Sequence, residues 1–247
     1  MNEFDTVFGI HAVESLLNKS AESIQVLMVA EGREDKRLNK LMDLARRKTI
    51  RVDVLPRREL DKLVRGRHQG VVAQVAMEPE KDEGDLEEVL NALDQPPFLL
   101  ILDSVTDPHN LGACLRSADA AGVHALIVPK DKSAPLNAVA KNVASGAAEH
   151  VPLIRVTNLA RTMKWLQDRG IWLTGAAGEA EQELYATDLK GPAAIVMGAE
   201  GSGLRRLTRE HCDQLTKIPM AGSVSSLNVS VATGIFLFEA VRQRQSS

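Results

Sequence analysis

Aromatic side chains are scarce in this chain: five Phe, two Trp and one Tyr among 247 residues, or 3%. With so few rings the core must be aliphatic and Ala-rich. Cysteine is scarcer still. Cys114 and Cys212 stand alone, with no C-x-x-C partner and no metal-like spacing to His, which excludes a disulfide framework and a structural zinc site and suggests ordinary thiols in a reducing cytoplasm. No apolar run approaches the roughly 20 residues of a membrane span. The opening "MNEFDTVFGIHAVESLL" has acids and no basic segment, unlike a secretory signal. What is present is a 44% hydrophobic composition, ordinary for a soluble globular protein, in a length that admits one large α/β domain or two smaller ones.

The formal net charge of −3 conceals a strong imbalance. From Glu31 to His68, thirteen Lys and Arg face seven Asp and Glu, a local +6; from Glu78 to Asp94, eight acids face one Lys, a local −7. A polyanion responds to the local field, so an acidic total does not argue against a nucleic-acid partner.

Periodicity predicts a small α/β domain over residues 1–76. "GIHAVESLLNK", "EDKRLNKLMDLARRK" and "RRELDKLVRG" repeat their apolar positions at helical spacing, while "IQVLMVA", "IRVDVL" and "GVVAQVA" read as strands. Residues 77–95 are acidic with Gly and Pro, which suggests a linker with at most one short helix over "DLEEVLNAL". Residues 96–247 alternate helices with near-continuous apolar strands at "FLLILD", "ALIVP", "HVPLI", "IWLTGA", "AAIVMG" and "QLTKIP". That pattern predicts a mainly parallel sheet covered on both faces.

Ligands of open α/β sheets bind at the carboxyl ends of the strands, and three strand ends here are unusual. After "FLLILD" comes "SVTDPHNLGACLRSADAAGV", in which Asn110 is expected to cap a helix running to Ala121. That helix is made of small residues around one long cation, Arg116, either a solvated side chain or a clamp for phosphate or carboxylate. After "AAIVMG" comes "AEGSGLRRL", where Gly198, Gly201 and Gly203 suit either a tight turn or a backbone cradle. Its spacing is neither that of a P-loop nor that of a dinucleotide fold, and Glu200 would repel a bare phosphate. After "QLTKIP" comes "MAGSVSSLNVSVATGIFLFEA". One helix cap needs one polar side chain, yet Ser225, Ser226, Asn228 and Ser230 fall within six residues, so some are expected to face a ligand. Val231 to Phe238 is expected to be buried nearly all round, by the domain or by a second subunit.

These three stretches, in this order, identify the chain by resemblance with the SpoU/TrmH branch of the SPOUT RNA ribose 2′-O-methyltransferases, through "NLGACLR", "IVMGAEGSGL" and "IPMAGSVSSLNVSVATGIFLFEA". The resemblance covers the whole chain. Residues 1–76 resemble the ribosomal-protein-like (L30e/L7Ae-like) substrate-binding domain found in part of the family. Within the family, the likeness is to enzymes that methylate a guanosine ribose in the peptidyl-transferase loop of 23S rRNA.

The resemblance implies a SPOUT domain with a deep C-terminal trefoil knot, a cytoplasmic homodimer, S-adenosyl-L-methionine as cofactor and no metal. The substrate would be 23S rRNA or the assembling large ribosomal subunit. It puts Asn110, Arg116, Glu200, Ser226 and Asn228 at the catalytic centre, and Thr174, Gly175, Gly198, Gly203, Ile218, Met220 and Leu227 around the cofactor. A guanidinium with a pKa above about 12 is a poor base, so Arg116 is expected to grip the phosphate beside the target ribose. Glu200, Ser226 or Asn228 would polarise the hydroxyl or position Arg116. In the basic segment, Arg46, Arg47, Arg57, Arg58, Arg65 and Arg67 are expected phosphate contacts and His68 and Gln69 base contacts.

Two rivals stay open: a transfer-RNA ribose 2′-O-methyltransferase, because the catalytic motifs do not name the RNA, and a non-enzymatic RNA-binding protein, which would leave the three loops without purpose. A dinucleotide-dependent oxidoreductase lacks its G-x-G-x-x-G, and a serine hydrolase lacks G-x-S-x-G and a spaced His or Asp.

Overall fold

The protein is described by a computed structural model covering residues 4–32, 35–64, 66, 68–76 and 80–245. It divides into two compact units, Met1–Pro79 and Glu80–Ser247. No helix among the described residues is long and apolar enough to cross a membrane.

The first unit runs β1 (Phe4–Phe8), α1 (Ile10–Lys19), β2 (Ile24–Ala30), α2 (Lys36–Arg47), β3 (Arg51–Leu55), α3 (Arg57–Leu63) and β4 (Val71–Ala76). Its sheet has the order β1-β4-β2-β3 and is mixed: β2 and β3 are parallel, and β4 is antiparallel to β1 and β2. The apolar stripes of α1 and α2, including Val13, Leu17, Leu38 and Leu41, bury against Leu27, Val29, Val71 and Ala73 on one face. Leu60 and Val64 cover Val26, Met28 and Val72 on the other. Strand β1 is an edge whose short sequence, "FDTVF", carries little signal of its own; pairing from Phe4↔Ala76 to Phe8↔Val72 supplies the order.

The second unit runs α4 (Glu83–Asn91), β5 (Phe98–Asp103), α5 (Pro108–Ala120), β6 (Ala125–Pro129), α6 (Ala138–Ala144), β7 (Leu153–Val156), α7 (Leu159–Asp168), β8 (Trp172–Ala176), β9 (Gln182–Glu183), β10 (Ala193–Gly198), α8 (Arg206–Glu210), β11 (Gln214–Lys217) and α9 (Val229–Gln245). Its sheet order is β7-β6-β5-β10-β8-β11-β9, and each described pairing is parallel. Strand β5 explains the fold in miniature. Phe98, Leu100 and Leu102 enter one core, while Leu99 and Ile101 enter the other, as a period of two requires. Burying each such side chain contributes about 1.5–3 kcal/mol.

The acidic segment is more than a tether. Within it, Asp82 accepts from Gly84 N at 2.8 Å and Asp85 accepts from Asp82 N at 2.7 Å, a capping box that starts α4. Leu86 of that helix is fully buried in the core formed with Ile154 and Val156. Residues 77–79 lie outside the described residues.

The sheet positions the site. From β5 the chain winds outward through β6 to β7, then returns on the far side through β8 and β10. The carboxyl ends of β5 and β10, paired up to Asp103↔Gly198, are therefore the switch point of the sheet, where ligands bind in such folds.

Candidate active site

Helix α5 begins earlier than expected. Its cap is Asp107, which accepts from His109 N at 2.9 Å, and Pro108 takes the first helical position, where its fixed φ and missing N–H are harmless. Asn110 is thus not a cap. It lies inside the first turn, its amide free to act elsewhere. Small residues along α5 let another backbone close in: a Cβ on Gly112 would stand 2.5 Å from the carbonyl oxygen of Ala140 in α6. Arg116 is exposed on α5 and makes no hydrogen bond or ion pair among the described residues.

The loop after β10 folds back on itself. Ala199 and Gly203 exchange backbone hydrogen bonds of 3.1 and 2.9 Å, and Gly201 and Gly203 adopt φ of +80° and +65°. A Cβ on Gly198 would meet the Gly203 carbonyl carbon at 2.1 Å and its oxygen at 2.3 Å, so only glycine fits. This turn presents Glu200, exposed, at its tip.

The third loop, 219–228, supplies the link. Asn228 Oδ1 accepts from Ser230 N at 2.9 Å and from the Ser230 hydroxyl at 2.6 Å, capping α9. Its Nδ2 donates to Asn110 Oδ1 at 3.0 Å and to Glu200 Oε2 at 3.3 Å. Residues 118 and 28 positions away in sequence thus meet on one amide. Ser225 and Ser226 are exposed and have no hydrogen-bond partner among the described residues.

Other expected residues fall elsewhere. Ile218 and Leu227 are half-buried and Met220 exposed, at the two ends of the third loop. Thr174 and Gly175 sit inside the sheet, flanked by β10 and β11. The Thr174 hydroxyl accepts from Gln214 Nε2 at 2.9 Å, and a Cβ on Gly175 would meet Cys212 Sγ at 2.7 Å. Both pack tightly within the sheet. Helix α9 is not buried all round by its own unit: Val231 and Phe238 are 53% and 49% exposed.

In the first unit, Arg46, Arg47, Arg57 and Arg58 are exposed, with Arg46 3.5 Å from Asp43 and Arg58 3.8 Å from Glu59. They form two groups rather than one patch. Arg46 and Arg47 precede β3 and Arg57 and Arg58 follow it, about 17 Å apart at the rise of an extended strand. Lys36 and Arg37 join the second group, because β2 and β3 end together (Ala30↔Leu55). Arg65 and Arg67 lie outside the described residues. His68 is a correction to the sequence reading: it is 2% exposed, its Nδ1 accepts from Gly70 N at 3.1 Å, and its Nε2 therefore carries the proton donated to Asp61 at 2.8 Å. Gln69 likewise faces inward, accepting from Ile10 N at 3.0 Å at the start of α1.

Sequence reasoning missed Asp103 and Arg205. Asp103 ends β5 with 0% exposure, yet accepts from Arg205 N at 2.9 Å, Arg205 Nε at 2.5 Å and the Ser104 hydroxyl at 3.2 Å. The available signal was a carboxylate closing an otherwise wholly apolar strand.

A parallel sheet with three polar loops joined at its switch point is the frame of a ligand-binding α/β enzyme, and the chain belongs to the SpoU rRNA methylase family, which matches residues 97–238. Residues 6–81 match the RNA 2′-O ribose methyltransferase substrate-binding domain. The chain is 61% identical over 241 residues to the 23S rRNA (guanosine-2′-O-)-methyltransferase RlmB of Escherichia coli strain K12, covering 97% of this chain and 99% of the relative. It is 58% identical over 245 residues to the Pseudomonas putida protein of the same name, covering 99% of each. Among solved structures, the SpoU methyltransferase AviRb from Streptomyces viridochromogenes, in complex with the cofactor AdoMet, matches with a TM-score of 0.70 at 28% identity, over 99% of this chain and 92% of that one.

Proposed function

We propose that this protein methylates the 2′-hydroxyl of a guanosine ribose in 23S rRNA, using S-adenosyl-L-methionine. The observation that carries the reading is the meeting of Asn110, Glu200 and Asn228, from three separated segments, within hydrogen-bond distance at the switch point. Full-length relatives at about 60% identity name the reaction.

The residues present suit the cofactor. The backbone of 219–227 makes no hydrogen bond among the described residues, leaving amides and carbonyls to read an adenine edge around Gly198, Ile218, Met220 and Leu227. Beside them the Thr216 hydroxyl is fully buried and unpaired. S-adenosyl-L-methionine would supply an electrophilic methyl group on sulfonium sulfur. Everything else falls to the chain: to hold the ribose hydroxyl in line and give its proton a path. Glu200 is the carboxylate assigned that task, oriented by the Asn228 amide, with Ser226 an exposed hydroxyl on the third loop. Arg116, unpaired and cationic, grips the phosphate next to the target ribose.

Support for RNA capture by the first unit comes from its family match and from the exposed Lys36, Arg37, Arg57 and Arg58 at one end of its sheet; Arg46 and Arg47 would reach a different phosphate. The exposed apolar pair Val231 and Phe238 on α9 favours a homodimer. By family likeness, the last loops would thread a trefoil knot. The target would lie in the peptidyl-transferase loop, on free 23S rRNA or the assembling large subunit, in the cytoplasm.

The test mixes radiolabelled methyl donor and protein with rRNA and tRNA from a strain lacking the gene, then maps the labelled nucleotide. Label on a 23S guanosine ribose is expected; label in tRNA alone would refute the substrate.

A further inference from the structure

We infer that Arg205 is a second RNA-phosphate clamp, held in readiness by the buried carboxylate of Asp103; the inference rests on the reading of the protein as an RNA methyltransferase. Arg205 follows Glu200 by five residues in the loop after β10. Its backbone N–H and its Nε both donate to Asp103, at 2.9 and 2.5 Å. The backbone bond fixes where the side chain starts, and the charge-assisted Nε bond anchors one edge of the guanidinium. The two terminal amino groups have no partner among the described residues, and the side chain is 41% exposed. The result is a guanidinium tethered at one edge, with its terminal donors open at the mouth of the switch point and part of its rotamer freedom already spent.

A surface arginine needs no such anchor to be soluble, and a fully buried carboxylate is an expensive way to brace a turn already closed by the Ala199–Gly203 bonds. The backbone next to Asp103 is also held in an uncommon state: Ser104 has φ of +65° and gives its hydroxyl to the same carboxylate. Strain, a buried carboxylate and a tethered but unsatisfied guanidinium coincide at the carboxyl end of β5. A phosphodiester is the ligand with matching geometry and charge on the proposed substrate.

The test compares the parent protein with Arg205→Lys and with the double variant Asp103→Asn/Arg205→Gln, which removes both charges and leaves no buried ion unpaired. Binding to unmethylated 23S rRNA is measured across a potassium chloride series, and methyl-donor binding by calorimetry serves as the control for folding. The double variant should bind donor like the parent, bind RNA roughly tenfold more weakly, and lose about 0.7 from the slope of log K against log salt, one phosphate contact on a single strand. Arg205→Lys should keep the parental slope and lose about threefold in affinity, because it retains charge without the fork. Parental RNA affinity and slope in the double variant would make Arg205 a brace only. Should that variant fail to bind donor, Arg205→Lys decides alone: unchanged affinity overturns the clamp. If the parent itself binds no rRNA, the reading of function fails, not this inference.

Discussion

Asn228 is the residue on which the site can be taken apart from the fold. Its Oδ1 caps α9 and its Nδ2 joins Asn110 and Glu200, so different substitutions remove different halves. Ala removes both. The lost cap is worth about 1 kcal/mol, which in a unit of this size lowers Tm by about 2–4 °C. Ser keeps an oxygen for the Ser230 N–H, ranks with Asn as a cap, and has no amide to reach across. Stability should therefore lie about 1 kcal/mol above that of the Ala variant, the worth of the cap it keeps. The amide bonds are exposed, one to a neutral carbonyl and one to a carboxylate, so together they contribute about 2–3 kcal/mol to holding Asn110 and Glu200 in place. If that geometry is needed in the transition state, kcat/KM falls roughly 30- to 150-fold in both variants. The assay is methyl transfer to unmethylated 23S rRNA beside thermal melts. Equal losses of activity with unequal losses of Tm are expected. An Asn228→Ser protein within threefold of parental kcat/KM would refute the cross-link as an element of the site.

Other perturbations read other parts. Gly198→Ala forces a methyl against the Gly203 backbone, so stability should fall by about 3 kcal/mol with loss of methyl transfer; a parental Tm would mean that the turn is not packed as described. Arg116→Lys keeps charge and loses the fork, so kcat/KM for RNA should drop at least about tenfold with unchanged donor affinity; near-normal turnover would end the clamp role. Burial pushes the Cys114 thiol up to about 11, and burial with the nearby Asp213 and Asp103 pushes Cys212 up to about 12. Unfolded thiols ionise near pH 8.5–9, so stability should be undiminished below that and decline as pH rises toward 11–12. Denaturant midpoints at pH 7.5 and 10 measure the decline, which should be smaller in Cys212→Ala.

How much of this was legible beforehand depended on where the information lies. Strands such as "FLLILD" and "AAIVMG" announce themselves because both faces are buried and nearly every position is apolar. Strand β1 and the two-residue β9 do not, since their order comes from partners distant in sequence. The start of α5 was misplaced because Asn110 is as good a cap as Asp107; only Pro108, best suited to the first helical turn, breaks the tie. His68 looked like an RNA contact because it sits among arginines, but the turn to Gly70 directs its ring inward. Asp103 and Arg205 lie 102 residues apart, and no local pattern links them.

The polar head of α9 shows the same limit from inside the site. Counting side chains suggests that a surplus over one cap must face a ligand, yet the residue that joins the three loops is the cap itself. Two demands of opposite sign fall on position 228. The helix start offers N–H groups and needs an acceptor, while Glu200 is an acceptor and needs a donor. Asp would meet the first and set a second carboxylate 3.3 Å from Glu200, raising the pKa of one of the pair and removing the fixed charge. Ser and Thr would meet the first and fall short of the second. Gln carries both groups, but its extra methylene takes the acceptor out of reach of the cap. Only Asn satisfies both from one backbone position, so the chemistry of the site, as much as the stability of α9, accounts for the residue found there.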